Sequence, residues 1–379
     1  MSNASSAPTG RILQLDGLRG MAVILVVLYH YSLDLVLPTG SFLTYLKIPF
    51  RMGWCGVDLF FVLSGFLIGG ILLDARESPR YFQTFYSRRF HRILPLYYIW
   101  IGAYFLIAFT LLPHSSGSFK IEPEKWTIVP PYIFFVQNLV KKRLSWIAAA
   151  WLSPLWSLAV EEQFYLVMPF LVRFFPRRWL LVSLFAAIAG APLARIIVFH
   201  WDAGHTAQYV ATPCRADALA MGVLLALGWR NESWKSRFMG ARKLLYVVVF
   251  MLLIPVVYLA VSHPSSNDFA TSTWGLSCLD AFFAALLSLV LIVPHGLCAT
   301  FFRWSLLRDV GGVSYCIYVI HQAINALCRS ILIPANEGIT AASSIGVTVL
   351  AIGITWMVAK ISWHYLEGPF VRRGHAYRY

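Results

Sequence analysis

Apolar runs of about 20 residues recur along this 379-residue chain, and a run of about that length is what a helix needs to cross a hydrocarbon core about 30 Å thick. Backbone groups surrounded by lipid must find partners within their own segment, so such runs fold as helices. Ten spans can be drawn, at roughly 18–37, 53–74, 93–112, 153–172, 179–199, 209–229, 244–261, 272–293, 310–333 and 340–363. An eleventh patch, "PPYIFFVQNL" (130–139), is too short to cross and begins with two prolines, so it reads as re-entrant or interfacial. The expected fold class is all-α: a polytopic transmembrane helix bundle of about ten spans plus one short re-entrant or interfacial segment. The chain is 59% hydrophobic and 13% charged, against roughly 45–50% and 25% in a soluble domain. Little is left for anything but a disordered cytoplasmic tail (1–11), a single transmembrane domain (12–372) and a second cytoplasmic tail (373–379).

The net charge of +14 does not point to nucleic acid, because Lys and Arg sit in short loops between the apolar runs. With the N-terminus inside, the inner loops collect Arg76, Arg80, Arg88, Arg89 and Arg92, then Arg173, Arg177 and Arg178, then Arg230, Lys235, Arg237, Arg242 and Lys243, then Arg372, Arg373 and Arg378. Outer loops 200–208, 262–271 and 334–339 carry neither Lys nor Arg. That bias predicts a multi-pass protein of the cell's inner (plasma) membrane, with the lipid bilayer as its medium and both termini cytoplasmic. Counting 130–139 as a span would reverse every later loop. The first span lacks a small-residue cleavage site and reads as an uncleaved signal anchor. One long outer segment, about 113–152, has room for a lid or an acceptor platform. The six cysteines are scattered without a C-x-x-C pair, so free thiols and no structural metal are expected.

Ionisable groups inside spans are costly and by default mark function. In "DGLRGMAVILVVLYH", Arg19 and His30 are eleven residues apart, three helical turns plus about 20°, so they share a face with roughly 16 Å between them. Arg grips phosphate bidentately, and a neutral His takes a proton from a hydroxyl near pH 7. A ligand with phosphates at one end and a reactive group at the other, such as an acyl-coenzyme A, spans that distance in a single elongated cavity with His30 near mid-depth. The plainer reading is a snorkelling Arg19 and a His30 that hydrogen-bonds a neighbouring helix.

The second span, "GVDLFFVLSGFLIGG", holds Asp58 and Ser64. Asp58 is expected near the depth of His30, where it either orients the imidazole, as a triad acid does, or pairs with Arg215. Ser64 lacks the Gly-x-Ser-x-Gly elbow of a nucleophile and is placed on the substrate side or in packing. In "SRRFHRILPLYY" (87–98), Arg88, Arg89 and Arg92 either set topology or dock the nucleotide phosphates of a cytoplasmic donor. Of the adjacent Glu161 and Glu162 in "WSLAVEEQFYLVMPF", at most one faces a cavity. "RADALAMG" brings Arg215 and Asp217 into a span, and "GVSYCIYVIHQ" puts Tyr315, Tyr318 and His321 on or near one face. His321 alone reads more readily as an interhelical donor than as a catalyst.

Taken together, "LDGLRG…YH", "GVDLFFVLSGFLI", "RRFHRILPLYY", "WSLAVEEQFY", "RADALAMG" and "SYCIYVIH", in this order, closely resemble membrane acyltransferase family three, over nearly the whole chain. The resemblance implies an integral membrane O-acyltransferase, with residues 12–372 as one acyltransferase domain. It matches His30 to the family's essential histidine and Arg19 to its paired arginine. Arg88, Arg89 and Arg92 match the donor-linked basic motif, and Asp58, Ser64, Glu161, Phe164 and Tyr165 match other motif positions. The expected catalytic group is His30, Arg19, Asp58 and Glu161. Arg19, Arg88, Arg89 and Arg92 are expected to hold the donor, and Ser64, Tyr165, Arg215, Tyr315 and His321 the substrate. The donor would be acyl-coenzyme A, most simply acetyl-coenzyme A, and the acceptor a hydroxyl of a carbohydrate or small molecule. Some members append a hydrolase-like domain; none is seen here, so transfer is expected to be completed by the bundle. The rival class is an exporter of a polysaccharide intermediate, which buried charges also suit, although no inverted repeat or pair of interrupted half-helices is found.

Overall fold

The computed structural model describes residues 12–37, 42–110, 125–140, 151–201, 206–333 and 340–379. The tail expected over 1–11, most of the long outer segment expected over 113–152, and residues 38–41, 202–205 and 334–339 lie outside the described residues. What is described is a multi-pass membrane bundle of helices. We number those that matter here α1 (Leu13–Leu33), α2 (Gly56–Asp74), α3 (Tyr81–Thr110), α4 (Lys125–Ile133), α5 (Trp156–Phe174), α6 (Arg177–Trp201), α7 (Ala216–Trp229), α8 (Arg242–Ser262), α9 (Leu276–Ile292), α10 (Ser305–Gly312), α11 (Ser314–Leu332), α12 (Ala341–Ser362) and α13 (Gly368–His375).

The count of ten spans is corrected. Among the described residues eight helices are long and apolar enough to cross a membrane, and nine if α10 and α11, bent by 78°, are taken as one broken span. The expected crossing at 209–229 resolves into the short helix Ala207–Val210, a 3-10 turn over Thr212–Arg215 containing Pro213, and α7. At 1.5 Å per residue α7 is about 21 Å long, short of the hydrocarbon thickness. It need not face lipid, because it packs between α2, α6 and α9. The 130–139 patch falls in α4 and a 3-10 turn over Gln137–Leu139, again too short to cross; Gln163 Nε2 donates to Phe135 O and Asn138 Oδ1 and ties that turn to α5.

Helices differ in which surface they bury. α8 buries only Leu259 and exposes Leu244, Phe250, Ile254 and Val261, the surface expected of a helix solvated by lipid. α2 is apolar over most of its surface, Asp58 and Ser64 apart, and lies in the interior, where such a helix belongs. Its closest neighbour is α7, and two glycines set that approach. A Cβ at Gly65 would stand 2.1 Å from Leu219 O, and one at Gly222 would stand 2.2 Å from Val62 O. In lipid, where burial of apolar surface gives helices no drive to associate, such backbone-to-backbone packing carries the interface. Gly222→Val is therefore expected to cost more than the ~1–3 kcal/mol of ordinary overpacking. Thermal unfolding of the detergent-purified variant checks this, and an unchanged midpoint would contradict it.

Buried charge completes the frame around α2 and α7. Arg195 of α6 donates to Asp217 Oδ1 at 3.2 Å and Oδ2 at 2.9 Å, while Ser277 of α9 donates to Asp217 Oδ2 at 2.6 Å. Arg215 donates to Asp58 Oδ1 of α2 at 2.6 Å, and both side chains are fully buried. The Arg215 guanidinium also lies over the rings of Phe61 and Tyr209, at 5.4 and 5.2 Å. Four helices are thereby fixed in register around groups that lipid would not solvate.

Candidate active site

α1, α2, α3, α5 and α11 surround a cavity of ≈ 180 Å³. Each contributes a polar side chain because each carries one where its apolar pattern is interrupted: Arg19 from α1, Ser64 from α2, Arg89 and Arg92 from α3, Ser157, Glu161 and Tyr165 from α5, and Ser314, Tyr315 and Tyr318 from α11. Val57, Phe60, Phe61, Leu67 and Ile68 of α2 form an apolar wall. The Glu161 carboxylate accepts from Ser64 Oγ at 2.7 Å and from Tyr165 Oη at 3.1 Å, so three expected site residues form one hydrogen-bonded group. Tyr315 lines the same space while its hydroxyl donates to Ile93 O at 2.8 Å.

Three guanidiniums against one carboxylate make the lining cationic. Arg19 is 3.9 Å from Asp16 and keeps 29% of its side chain exposed, into a cavity it helps to line. Arg89 Nε is buried without a hydrogen-bond partner. A buried donor left unmet costs ~1–3 kcal/mol, so a cavity lined by three guanidiniums, one with such a donor, is suited to an anion. The volume is below the ~300–1,000 Å³ of pockets that engulf a drug-sized ligand. It accommodates an arm and its charged attachment more readily than a whole nucleotide.

Arg88 takes another direction. Its Nε and Nη2 donate to Tyr377 O at 3.0 and 2.7 Å, and its guanidinium lies 5.1 Å from the Tyr379 ring centre. It secures the last residues against α3, together with Thr84 Oγ1, which donates to Arg378 O at 2.9 Å. Of the expected arginine triplet, Arg89 and Arg92 line the cavity and Arg88 does not.

His30 is placed differently from the sequence expectation. α1 begins at Leu13 and ends at Leu33, which puts His30 in its last turn instead of near mid-depth. His30 is not among the residues lining the cavity that holds Arg19. Tyr318 stands at that boundary: it lines the cavity, its hydroxyl is 2.6 Å from Ser157 Oγ, and its ring centre is 6.0 Å from Phe60 and 5.9 Å from His321. Beside that ring His321 Nε2 is 3.1 Å from His30 Nδ1. The cavity and the imidazole pair are thus neighbours through one aromatic side chain, and His30 does not share the lining of the cavity with Arg19 as expected.

Of the two partners considered for Asp58, the structure places it on Arg215, while His30 contacts Val26 O and His321. Arg215 and His321, both expected to face substrate, are fully buried and do not line the cavity. Ser157 and Ser314 line it without having been expected. Ser157 lies four residues before Glu161, one turn along the same face, and that spacing was the available signal.

The family model described as "Acyltransferase domain" matches residues 12–360. Among curated relatives, O-acetyltransferase OatA of Staphylococcus aureus (strain NCTC 8325 / PS 47) is 27% identical over 377 residues, covering 95% of this chain and 57% of the relative. Peptidoglycan O-acetyltransferase OatA of Listeria monocytogenes serovar 1/2a is 27% identical over 372 residues, covering 95% of this chain and 56% of the relative. A putative O-acetyltransferase of Staphylococcus aureus (strain COL) is 25% identical over 378 residues, with coverage of 95% and 57%. This chain therefore spans a little over half the length of these relatives. No solved structure matches it.

Proposed function

This chain belongs to the acyltransferase-domain family, and on that premise we propose that it is a membrane O-acetyltransferase, taking an acyl group from acyl-coenzyme A and passing it to a hydroxyl. The observation that carries this reading is the convergence of Arg19, Arg89 and Arg92 on one cavity, beside an imidazole one aromatic ring away. The arginines suit the phosphates of the donor, held as charge-assisted and bidentate hydrogen bonds. His30 suits the chemistry. As general base, its Nε2 takes the acceptor's hydroxyl proton as the acceptor oxygen bonds to the thioester carbon; the carbon–sulfur bond breaks, and the proton passes on to the departing thiolate. As a transient carrier, Nε2 bonds the same carbon and releases the thiolate; the acceptor oxygen then displaces the imidazole, and the acceptor's hydroxyl proton ends on that thiolate. Donor-only incubation followed by intact-protein mass measurement separates the two routes, since only the second leaves an acyl adduct.

Residues 12–372 act on this reading as one domain, in the plasma membrane with both termini cytoplasmic, so that Arg89 and Arg92 sit near the donor's side. The relatives' names, one of them a peptidoglycan O-acetyltransferase, favour a carbohydrate acceptor. The deciding experiment is coenzyme A release from acetyl-coenzyme A by protein purified in detergent, with a panel of glycans. An exporter, needing two sides and a gradient, would release none.

Arg19→Ala is expected to weaken donor binding and leave the fold intact. A hydrogen bond to a charged group is worth ~1.5–3 kcal/mol, so the dissociation constant for coenzyme A should rise ~10–150-fold. Calorimetric titration of the purified variant measures it, and an unchanged affinity would remove Arg19 from the donor site.

A further inference from the structure

His321 is fully buried, so it touches neither bulk water nor the cavity, yet it touches His30. The proton positions follow from what a carbonyl can do, which is only accept. His321 Nδ1 is 2.7 Å from Tyr318 O, so Nδ1 carries the proton, and Nε2 of the neutral ring is an acceptor. That acceptor is 3.1 Å from His30 Nδ1, which also lies 2.9 Å from Val26 O. His30 Nδ1 thus faces two acceptors and must carry its ring's proton, leaving His30 Nε2 with a free lone pair. The pair is also braced from behind: Tyr31, the residue after His30, donates its hydroxyl to His321 O at 2.9 Å and is 2.8 Å from Thr355 Oγ1.

We propose that His321 is the positioning residue of His30, an imidazole locked as acceptor that holds His30 in the tautomer whose Nε2 is reactive and shares the positive charge formed there. This rests on the reading of His30 as the reacting group. When Nε2 takes the acceptor's proton or the acyl carbon, the ring becomes cationic. Its Nδ1 proton stays on His30 and strengthens its hydrogen bond to His321 Nε2, and no further proton has to leave. The same logic orients metal-ligating imidazoles, where the group behind the ring matters ~10–100-fold.

The test compares His321→Leu, which removes the acceptor at similar volume, with His321→Gln, whose side-chain oxygen can take the place of Nε2. Acetyl transfer by purified full-length chain is followed, with coenzyme A affinity and thermal midpoint measured beside it. Expected for His321→Leu is a kcat lower by ~10–100-fold with the donor KM and affinity unchanged, and for His321→Gln recovery of most of that loss. Adding His321→Leu to His30→Ala should lower the rate no further, because the two act as a unit. Wild-type kcat in His321→Leu, an equal loss in His321→Gln with the fold intact, or a further loss in the double variant would each overturn the proposal. Full activity in His30→Ala would instead overturn the reading it rests on, so the two failures are distinguishable.

Discussion

His30→Ala is expected to lose acyl transfer by a factor of ~10²–10⁴, the usual contribution of a positioned acid–base group, while still binding donor. The expectation follows from geometry: Arg19, Arg89 and Arg92, which would hold the anionic end, line a cavity that His30 does not. The fold should survive as well, because His30 is only partly buried in the last turn of α1, and its ring contacts there are His321 and Tyr29. Removing it leaves His321 Nε2 without its partner, a local cost confined to one hydrogen bond. The measurements are coenzyme A release with acceptor present and coenzyme A affinity by titration. Activity kept in a protein that binds donor normally would take the imidazole out of the reaction. Activity and binding lost together would instead tie His30 to donor binding.

The second large effect concerns stability. Asp58→Leu takes from the fully buried Arg215 the carboxylate that accepts its hydrogen bond, leaving only the more weakly placed charges of Asp280 and Asp217 to balance it. Breaking a buried pair from one side costs ~3–5 kcal/mol, whereas replacing both members with apolar groups of matching shape is often neutral. Against a total stability of ~5–15 kcal/mol, the single change is expected to lower the thermal midpoint and the yield of folded protein sharply. The double change Asp58→Leu with Arg215→Met should restore much of it, subject to the rings of Phe61 and Tyr209 that also hold the guanidinium. Yield and thermal midpoint in detergent report both. A folded but inactive Asp58→Leu protein would move Asp58 from the frame to the chemistry.

Much of the bundle was legible because lipid imposes one rule on all spans: about 20 apolar residues in a helix. The rule overcounts where a helix is shielded by protein. Residues 209–229 have the composition of a span, yet Pro213 starts a 3-10 turn and the helix proper begins at Ala216. The rule is also silent about direction, so the 78° break between Gly312 and Ser314 left no trace in a run drawn as straight from 310 to 333. At the site, Arg19, Ser64, Arg89, Arg92, Glu161, Tyr165 and Tyr315 were named from motifs and come together. Periodicity could not choose among the arginines: Arg92 shares a face with both Arg88, at i−4, and Arg89, at i−3. Only the docked tail, which takes up Arg88, decides between them. The His30–His321 contact joins residues 291 positions apart, and no local pattern encodes the relative rotation of α1 and α11 that makes it.

A thioester is reactive toward water as well as toward sugar, and the Tyr318–Ser157 bond bears on that. On the proposed reading, an aromatic side chain pinned by one hydroxyl stands between the imidazole pair and the charged cavity that would hold the donor. On that reading a donor bound in the cavity would sit clear of the imidazole between acceptors, and futile hydrolysis would be limited by position and not by weak affinity.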